Sequence, residues 1–140
     1  MQIRREEMLL RLLRFQRHVN HLLESFSDEN YQYFVLDYRD GSNLLTLLER
    51  EGRLSEDNAR TIVQQIALGL RALHQRGILH RDIKLENIIL DRERRCQICD
   101  FGVSRYMGGV DRVLDKCGTA PYMAPEMRSG RGYSGFKSDV

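Results

Sequence analysis

The 140-residue sequence has little of what would assign it to a specialised class of protein. Its three cysteines cannot all pair within one chain and are too few for a disulfide-stapled secreted scaffold, which favours a reducing compartment. No apolar run approaches the roughly 20 residues that cross a bilayer, and no small-residue cleavage site follows the arginine-rich start. We therefore expect a globular protein of the cytoplasm or nucleus.

Charge of one sign is also nearly absent, because 22 basic residues face 20 acidic ones. A net charge of +2 gives no reason to expect a nucleic-acid or membrane partner. Lysine is scarce, with only Lys84, Lys116 and Lys137 among the basic residues. The two prolines, Pro121 and Pro125, come late, and no repeat or linker interrupts the chain, so we expect one continuous structural unit.

Hydrophobic periodicity predicts a mixture of helices and strands. In chain order, helices are expected over 4–15, 43–51 and 55–77, and strands over 22–26, 31–38, 88–90 and 96–99. Ser55 is a strong N-cap for the long helix, and Gly77 is its expected C-cap. Seven of the eleven glycines lie in 101–139, which predicts a mostly irregular segment there.

Ionisable groups are concentrated in the run HRDIKLEN over 80–87. It places a carboxylate, an ammonium group and an amide within six positions, at Asp82, Lys84 and Asn87, and a second carboxylate, Asp100, follows Asn87 by thirteen positions. A carboxylate near a positive charge can orient or deprotonate a hydroxyl, whereas carboxylate and amide oxygens are hard ligands for Mg²⁺. Together these groups predict phosphoryl transfer.

Three motifs occur in the order and spacing of one known family: HRDIKLEN, DFG over 100–102, and GTAPYMAPE over 118–126. On these motifs the chain resembles the catalytic domain of eukaryotic serine/threonine protein kinases, most of all the calmodulin-dependent and AMP-activated group. The resemblance implies ATP-dependent phosphoryl transfer to serine or threonine of a protein substrate, with ATP and Mg²⁺ as cofactors.

The resemblance also implies an α+β, two-lobe fold that is incomplete in this chain. Residues 1–38 would be a small-lobe remnant, with the regulatory helix and a β-hairpin. Residues 39–140 would be the first half of the mainly helical large lobe, with the catalytic loop over 80–87 and the activation segment over 100–126.

Catalytic roles follow from the resemblance, residue by residue. Asp82 resembles the base that orients the substrate hydroxyl, and Lys84 resembles the lysine that neutralises the transferred phosphate. Asn87 and Asp100 resemble the Mg²⁺ ligands. Thr119 would bridge the base and the lysine, as in the serine/threonine class.

The nucleotide site is implied in part. Leu36 takes the gatekeeper position, and backbone groups of Asp37 and Arg39 would meet adenine. Ile89 would close the adenine pocket from below, and Cys99 would border it as a site for electrophiles. The Cys-x-x-Cys spacing that ends at Cys99 is not favoured as a metal site, because strand residues three apart point to opposite faces.

Two positions bear on the substrate. Asn43 falls where many relatives use an acid to hold the ribose and a basic substrate side chain, which weakens the case for arginine-directed specificity. Glu86 is the remaining acid that could bind a substrate arginine.

Regulatory roles are implied for Arg81 and for Asp115, which stands where related kinases often carry a phosphorylated threonine. We hypothesise that Asp115 supplies a standing negative charge to Arg81, the alternative being a solvated loop acid. Asp139 would brace the backbone of the catalytic loop, and Glu126 ends the family's APE motif. His80 is expected to pack against Phe101.

Two family features are missing from the sequence: a glycine-rich loop and the lysine of the third strand. Glu7 matches the partner glutamate of that lysine, with Glu6 as the second register. We therefore expect part of a larger enzyme, and we expect the 140-residue chain alone to expose apolar surface and to be inactive. The alternative is a truncated, non-catalytic regulatory or decoy protein.

Overall fold

A helix and a β-hairpin open the chain. The computed structural model describes residues 2–140, and within them helix α1 covers Gln2–Leu12. Strands β1 (Leu22–Ser27) and β2 (Gln32–Leu36) pair in antiparallel fashion, with a register irregularity near the start of β1. The side chain of Asp28 accepts hydrogen bonds from two backbone amides of the connecting turn, at 2.8 and 2.7 Å. The polar turn thus fixes the hairpin that the sequence predicts.

Helices α2 (Leu44–Glu51) and α3 (Glu56–His74) begin at side-chain caps. Asn43 Oδ1 accepts the backbone N–H of Thr46 in the first turn of α2 at 2.8 Å, and Ser55 Oγ accepts the backbone N–H of Asn58 in the first turn of α3 at 3.3 Å. Such caps satisfy backbone donors that the helix itself leaves unpaired. The long helix ends at His74, not at the predicted Gly77, which lies in the following turn at φ +67°.

Short strands then place two loops side by side. A three-stranded antiparallel sheet has the order β3 (Gly41–Asn43), β5 (Ile88–Asp91), β6 (Cys96–Ile98). Strand β4 (Ile78–Leu79) pairs with β7 (Arg105–Tyr106). The loop between β4 and β5 and the loop between β6 and β7 therefore run between the same two sheets. Because the strands at both ends of these loops are paired, the loops lie side by side.

One main apolar core connects the N-terminal helix and hairpin to the rest of the chain. It combines one face of α1, the inner face of α3 and the central strands, and its fully buried members include Leu9, Leu13, Ile62, Leu73, Ile78, Ile88, Ile98 and Phe101. Gly69 lets α3 approach the turn before β1, because a Cβ there would lie 2.8 Å from the backbone oxygen of His18. A larger residue would force the helix away from the sheet.

A second, smaller core anchors the irregular part of the chain. Leu79, Val113, Met127 and Tyr133 are its buried members. Short helices α4 (Pro125–Arg128) and α5 (Gly135–Ser138) punctuate this segment, which is otherwise mostly turns, as its glycines predict. No helix among residues 2–140 combines the length and the apolar character that a bilayer crossing requires.

Candidate active site

The backbone of the catalytic loop is held by a carboxylate from the other end of the chain. Asp139 is buried, and its two oxygens accept the backbone N–H groups of His80 and Arg81, both at 2.8 Å. A third contact joins Asp139 to His74 Nε2 at 3.0 Å. Arg81 adopts φ +70°, a conformation that L-residues avoid unless their surroundings enforce it. Asp139 thus fixes where the chain turns before Asp82.

Asp82 is the hub of the loop's side chains. Its Oδ1 accepts both the backbone N–H and the hydroxyl of Thr119, at 2.8 and 2.7 Å. Lys84 Nζ lies 3.0 Å from Asp82 Oδ2 and donates to Thr119 Oγ1 at 2.9 Å. A loop 35 residues away is thereby tied to the base and the lysine together. Sequence motifs predicted the three members, and the structure brings them into one hydrogen-bonded triangle.

The electrostatics of this triangle keep both charges in place. Burial raises the pKa of Asp82, but hydrogen bonds from Thr119 and Lys84 outweigh it, so the pKa lies below its ordinary value. The pKa of Lys84 is raised, first by its hydrogen bond to Asp82. At neutral pH the pair is therefore a carboxylate that can accept a proton and an ammonium that can face an anion.

Asn87 and Asp100 come together through the β5 and β6 strands. The backbone N–H of Cys99 donates to Asn87 O at 2.9 Å, which sets Asp100 beside the end of the catalytic loop. Asn87 Nδ2 donates to Asp82 O at 2.9 Å, so its amide nitrogen faces the base and its oxygen is the remaining ligand atom. Asp100 is exposed and adopts φ +65°. An amide oxygen beside an accessible carboxylate suits Mg²⁺.

The glutamate of α1 that faces this site is Glu6 rather than the preferred Glu7. Glu6 shares a helix face with the fully buried Leu9 and Leu13, and its pKa is raised by burial and then by Asp100. Glu7 instead accepts hydrogen bonds from Ser25 at 2.6 Å and from Arg11 at 2.8 Å. The geometry thus favours Glu6, the second register of the sequence prediction. The distance to β1 along the sequence could not show which face of α1 is buried.

Asp115 contacts two arginines. Arg81 Nη1 lies 2.5 Å from one of its oxygens, and Arg105 Nη1 lies 2.8 Å from the other. Arg81 also donates to the backbone oxygen of Val103 at 2.7 Å, within the same segment. Burial raises the pKa of Asp115, but the contacts to Arg81 outweigh it and leave the pKa below its ordinary value. Arg105 was not predicted, since nothing distinguishes it in sequence from the many other arginines.

The implied adenine contacts lie at the end of β2. Leu36 is 39% exposed, and the Asp37 backbone N–H donates to His21 O at 2.8 Å. The Asp37 and Arg39 side chains form an ion pair at 3.0 Å. Ile89, in the middle strand of its sheet, is half-buried. These positions stay predictions, because no contact in the chain tests them.

Asn43, Glu86 and Glu126 differ in their surroundings. The Asn43 side chain caps α2, which a helix start signal in the sequence could have shown. Glu86 lies 3.5 Å from the hydroxyl of Tyr122 and close enough to Lys84 to raise its pKa. Glu126 is exposed and forms no ion pair within residues 2–140.

Cys99 and His80 line the back of the loops. Burial, followed by Asp100, raises the pKa of the Cys99 thiol to about 11, so little thiolate is present at neutral pH. His80 is fully buried and stacks edge-on against Phe101 at 5.2 Å, which confirms the predicted packing role. Among residues 2–140, no group of three or more His, Cys, Asp or Glu side chains could hold a metal ion by itself.

The fold is mixed α and β, with a loop that carries Asp82 and Lys84 beside a loop that carries Asp100. Such an arrangement defines a kinase-like α+β domain. A family model described as "Protein kinase domain" matches residues 1–140. The chain therefore belongs to the protein kinase family.

Curated relatives agree with this assignment. The chain is 39% identical over 142 residues to CBL-interacting protein kinase 11 of Oryza sativa subsp. japonica, covering 99% of this chain and 28% of the relative. It is 38% identical over 149 residues to CBL-interacting serine/threonine-protein kinase 16 of Arabidopsis thaliana, covering 99% and 32%. A putative protein kinase C delta type homolog of Drosophila melanogaster is 40% identical over 115 residues, covering 81% and 17%. The chain thus spans about a third or less of these relatives.

Proposed function

We propose that this chain carries the phosphoryl-transfer centre of a serine/threonine protein kinase. The observation that supports the proposal is the triangle of Asp82, Lys84 and Thr119, whose members are joined at 2.7–3.0 Å. Contact between Thr119 and both charged groups is the pattern of the serine/threonine class. One of the related kinases named above is a serine/threonine-protein kinase by name.

Each residue of the triangle has a separate task. Asp82, ionised at neutral pH, accepts a hydrogen bond from the substrate hydroxyl and takes its proton as the oxygen attacks the γ-phosphorus. Lys84 faces the negative charge of the transferred group. Thr119 orders both side chains and joins the substrate-facing segment to the catalytic loop.

Asn87 and Asp100 would hold Mg²⁺ through an amide oxygen and a carboxylate oxygen. ATP would supply the phosphoryl group, and Mg²⁺ would neutralise charge on the phosphates, including those of the leaving ADP. The catalytic loop contributes orientation, since the hydrogen bond from Asn87 to Asp82 O links the metal-ligand position to the base at 2.9 Å. The ordered loop would therefore hold the base and the metal-ligand position at a fixed separation when substrate binds.

Asp115 is proposed to keep the activation segment ordered without phosphorylation. Its two oxygens contact Arg81, next to the base, and Arg105, in β7. Its backbone oxygen accepts the hydroxyl of Tyr133 at 3.0 Å. The carboxylate thus links catalytic loop and segment, as a phosphate would, but with a permanent charge. We further propose a protein substrate and a place in the cytoplasm or nucleus.

The test is phosphate transfer by the natural full-length protein to serine-, threonine- and tyrosine-containing peptides. We expect transfer to serine and threonine, and a loss of about 10²–10⁴-fold in kcat for Asp82→Asn, the usual contribution of a general base. Asp57→Asn, an exposed acid on α3, is the matched control and should keep full activity. A folded wild-type protein that binds partners but transfers no phosphate would support the non-catalytic alternative and refute the proposal.

A further inference from the structure

A groove on the far side of α3 lies outside the active site described above. It runs between the turn that follows α1 and the outward face of α3, which contributes Leu68, Arg71 and Ala72, with Gln75 just beyond the end of the helix. Phe15 and Leu68 supply its apolar surface and are 76% and 51% exposed. None of its lining residues belongs to the catalytic loop, the metal-ligand loop or the activation segment.

Phe15 is held outward by its backbone and by a neighbour. Its φ of +70° lies in the left-handed region, which a bulky aromatic residue adopts only when its surroundings enforce it. The guanidinium of Arg14 lies over the ring at 4.9 Å from its centre. The ring is therefore presented to solvent at a fixed place beside Leu68, where burial under a partner would be favourable.

The groove is also positively charged. Arg17 and Arg71 line it, and no aspartate or glutamate does, within the part of the chain that the structure describes. Neither arginine forms an ion pair among residues 2–140. Other exposed arginines, such as Arg60 with Glu56 and Arg92 with Asp40, are neutralised by an acid of the chain itself. Unpaired guanidinium groups beside exposed apolar surface favour a ligand that brings its own carboxylates.

We propose that this groove, lined by Phe15, Arg17, Leu68 and Arg71, binds an acidic peptide segment of a partner protein. A bulky apolar side chain of the segment packs between Phe15 and Leu68, and flanking carboxylates pair with Arg17 and Arg71. Apolar contact supplies most of the affinity, whereas the arginines select for acidic sequence. The groove would thus recruit partners or substrates away from the site of phosphoryl transfer.

The probe is a fluorescein-labelled short peptide with a central Phe-Leu pair flanked by glutamates, titrated by fluorescence anisotropy into the natural full-length protein. Two control peptides replace the glutamates by lysines or by serines. We expect the acidic peptide to bind, and the serine and lysine peptides to bind at least about tenfold more weakly at low salt. Equal binding of all three peptides, or no binding of the acidic one, would overturn the proposal.

Two pairs of variants separate specific from general effects. Arg17→Glu with Arg71→Glu should weaken acidic-peptide binding by about tenfold or more, whereas Arg53→Glu, an exposed arginine outside the groove, should leave it unchanged. Leu68→Ala should weaken binding about fivefold, and Val63→Ala, 61% exposed on the same helix, should not.

Thermal unfolding of each variant reports whether the fold is kept, and all five substituted positions are exposed. Sedimentation of the wild-type protein tests the competing occupant, a second copy of the chain. A dimer that dissociates in the Leu68→Ala variant would assign the groove to self-association and would refute the peptide proposal.

Discussion

Loss of the Asp115 carboxylate gives the sharpest test of how the activation segment is ordered. Asp115→Asn keeps the size of the side chain and removes its charge. The Arg105 contact is worth little, about 0.2–1 kcal/mol, because both side chains are about half exposed, at 46% and 49%. Arg81 is different, because its side chain is only 5% exposed and would keep its charge without a carboxylate partner.

Charge-assisted hydrogen bonds to a buried group are worth about 1.5–3 kcal/mol. Because Asp115 itself is 49% exposed, we take the lower end, about 1.5 kcal/mol, which is about a tenfold shift in the equilibrium between ordered and open segment. Hydrogen exchange of the amides over 105–116 should accelerate by about tenfold, and kcat/KM should fall by up to the same factor.

Three observations check this reasoning in the full-length protein. Asp115→Glu, which keeps the charge, should recover part of the protection and activity. Asp57→Asn, which removes an acid paired to a 57% exposed arginine, should change neither quantity. If Asp115→Asn leaves both exchange and activity unchanged, Asp115 is a solvated loop acid and the clamp does not exist.

The pH dependence has a definite sign. The pKa of Asp115 is lowered in the folded chain, so its stabilising contribution is present above the ordinary aspartate pKa of about 3.9 and is lost as pH falls through the lowered value. Protection of the segment should therefore stay constant between about pH 5 and 8. A phosphate, whose second pKa is about 6, would change charge within that window.

Three other substitutions or reactions test the site. Alkylation of Cys99 by iodoacetamide should be slow at neutral pH and rise with pH toward the thiol pKa of about 11, and rapid labelling near pH 7, followed by mass spectrometry, would contradict its burial. In the full-length protein Glu6→Gln should lower kcat/KM by about tenfold or more and Glu7→Gln by less than threefold. A larger loss for Glu7→Gln would assign the role to Glu7 instead. Gly118→Ala should weaken activity and lower Tm by several degrees. The new Cβ would lie 2.5 Å from Arg81 O, and the φ of +105° is unfavourable for alanine. Unchanged Tm and kcat would show that the loop relaxes freely.

Local signals in the sequence predicted what local physics determines. The cap Ser55 predicted the start of α3, periodicity predicted a short helix over 43–51, and the order of motifs predicted the members of the catalytic triangle. The end of α3 was misplaced because Gly77 serves a turn that packs beneath β7, where its oxygen accepts a backbone N–H at 2.7 Å. Glu6 was ranked behind Glu7, and Arg105 was not predicted at all. The surroundings of both residues depend on contacts between segments far apart in sequence.

Two of those distant contacts involve one residue of the catalytic loop, Arg81, and each is made by a different acid. Asp139, 58 positions away, holds the strained backbone, whereas Asp115, 34 positions away, holds the side chain. Asp139 is 6% exposed and carries three hydrogen bonds, so its removal should leave buried N–H groups unpaired and destabilise the fold. Asp115 is half exposed, so its removal should release only the segment. The conformation of the catalytic loop and the ordering of the activation segment are thus separable. The first depends on the backbone N–H of Arg81, and the second depends on its guanidinium.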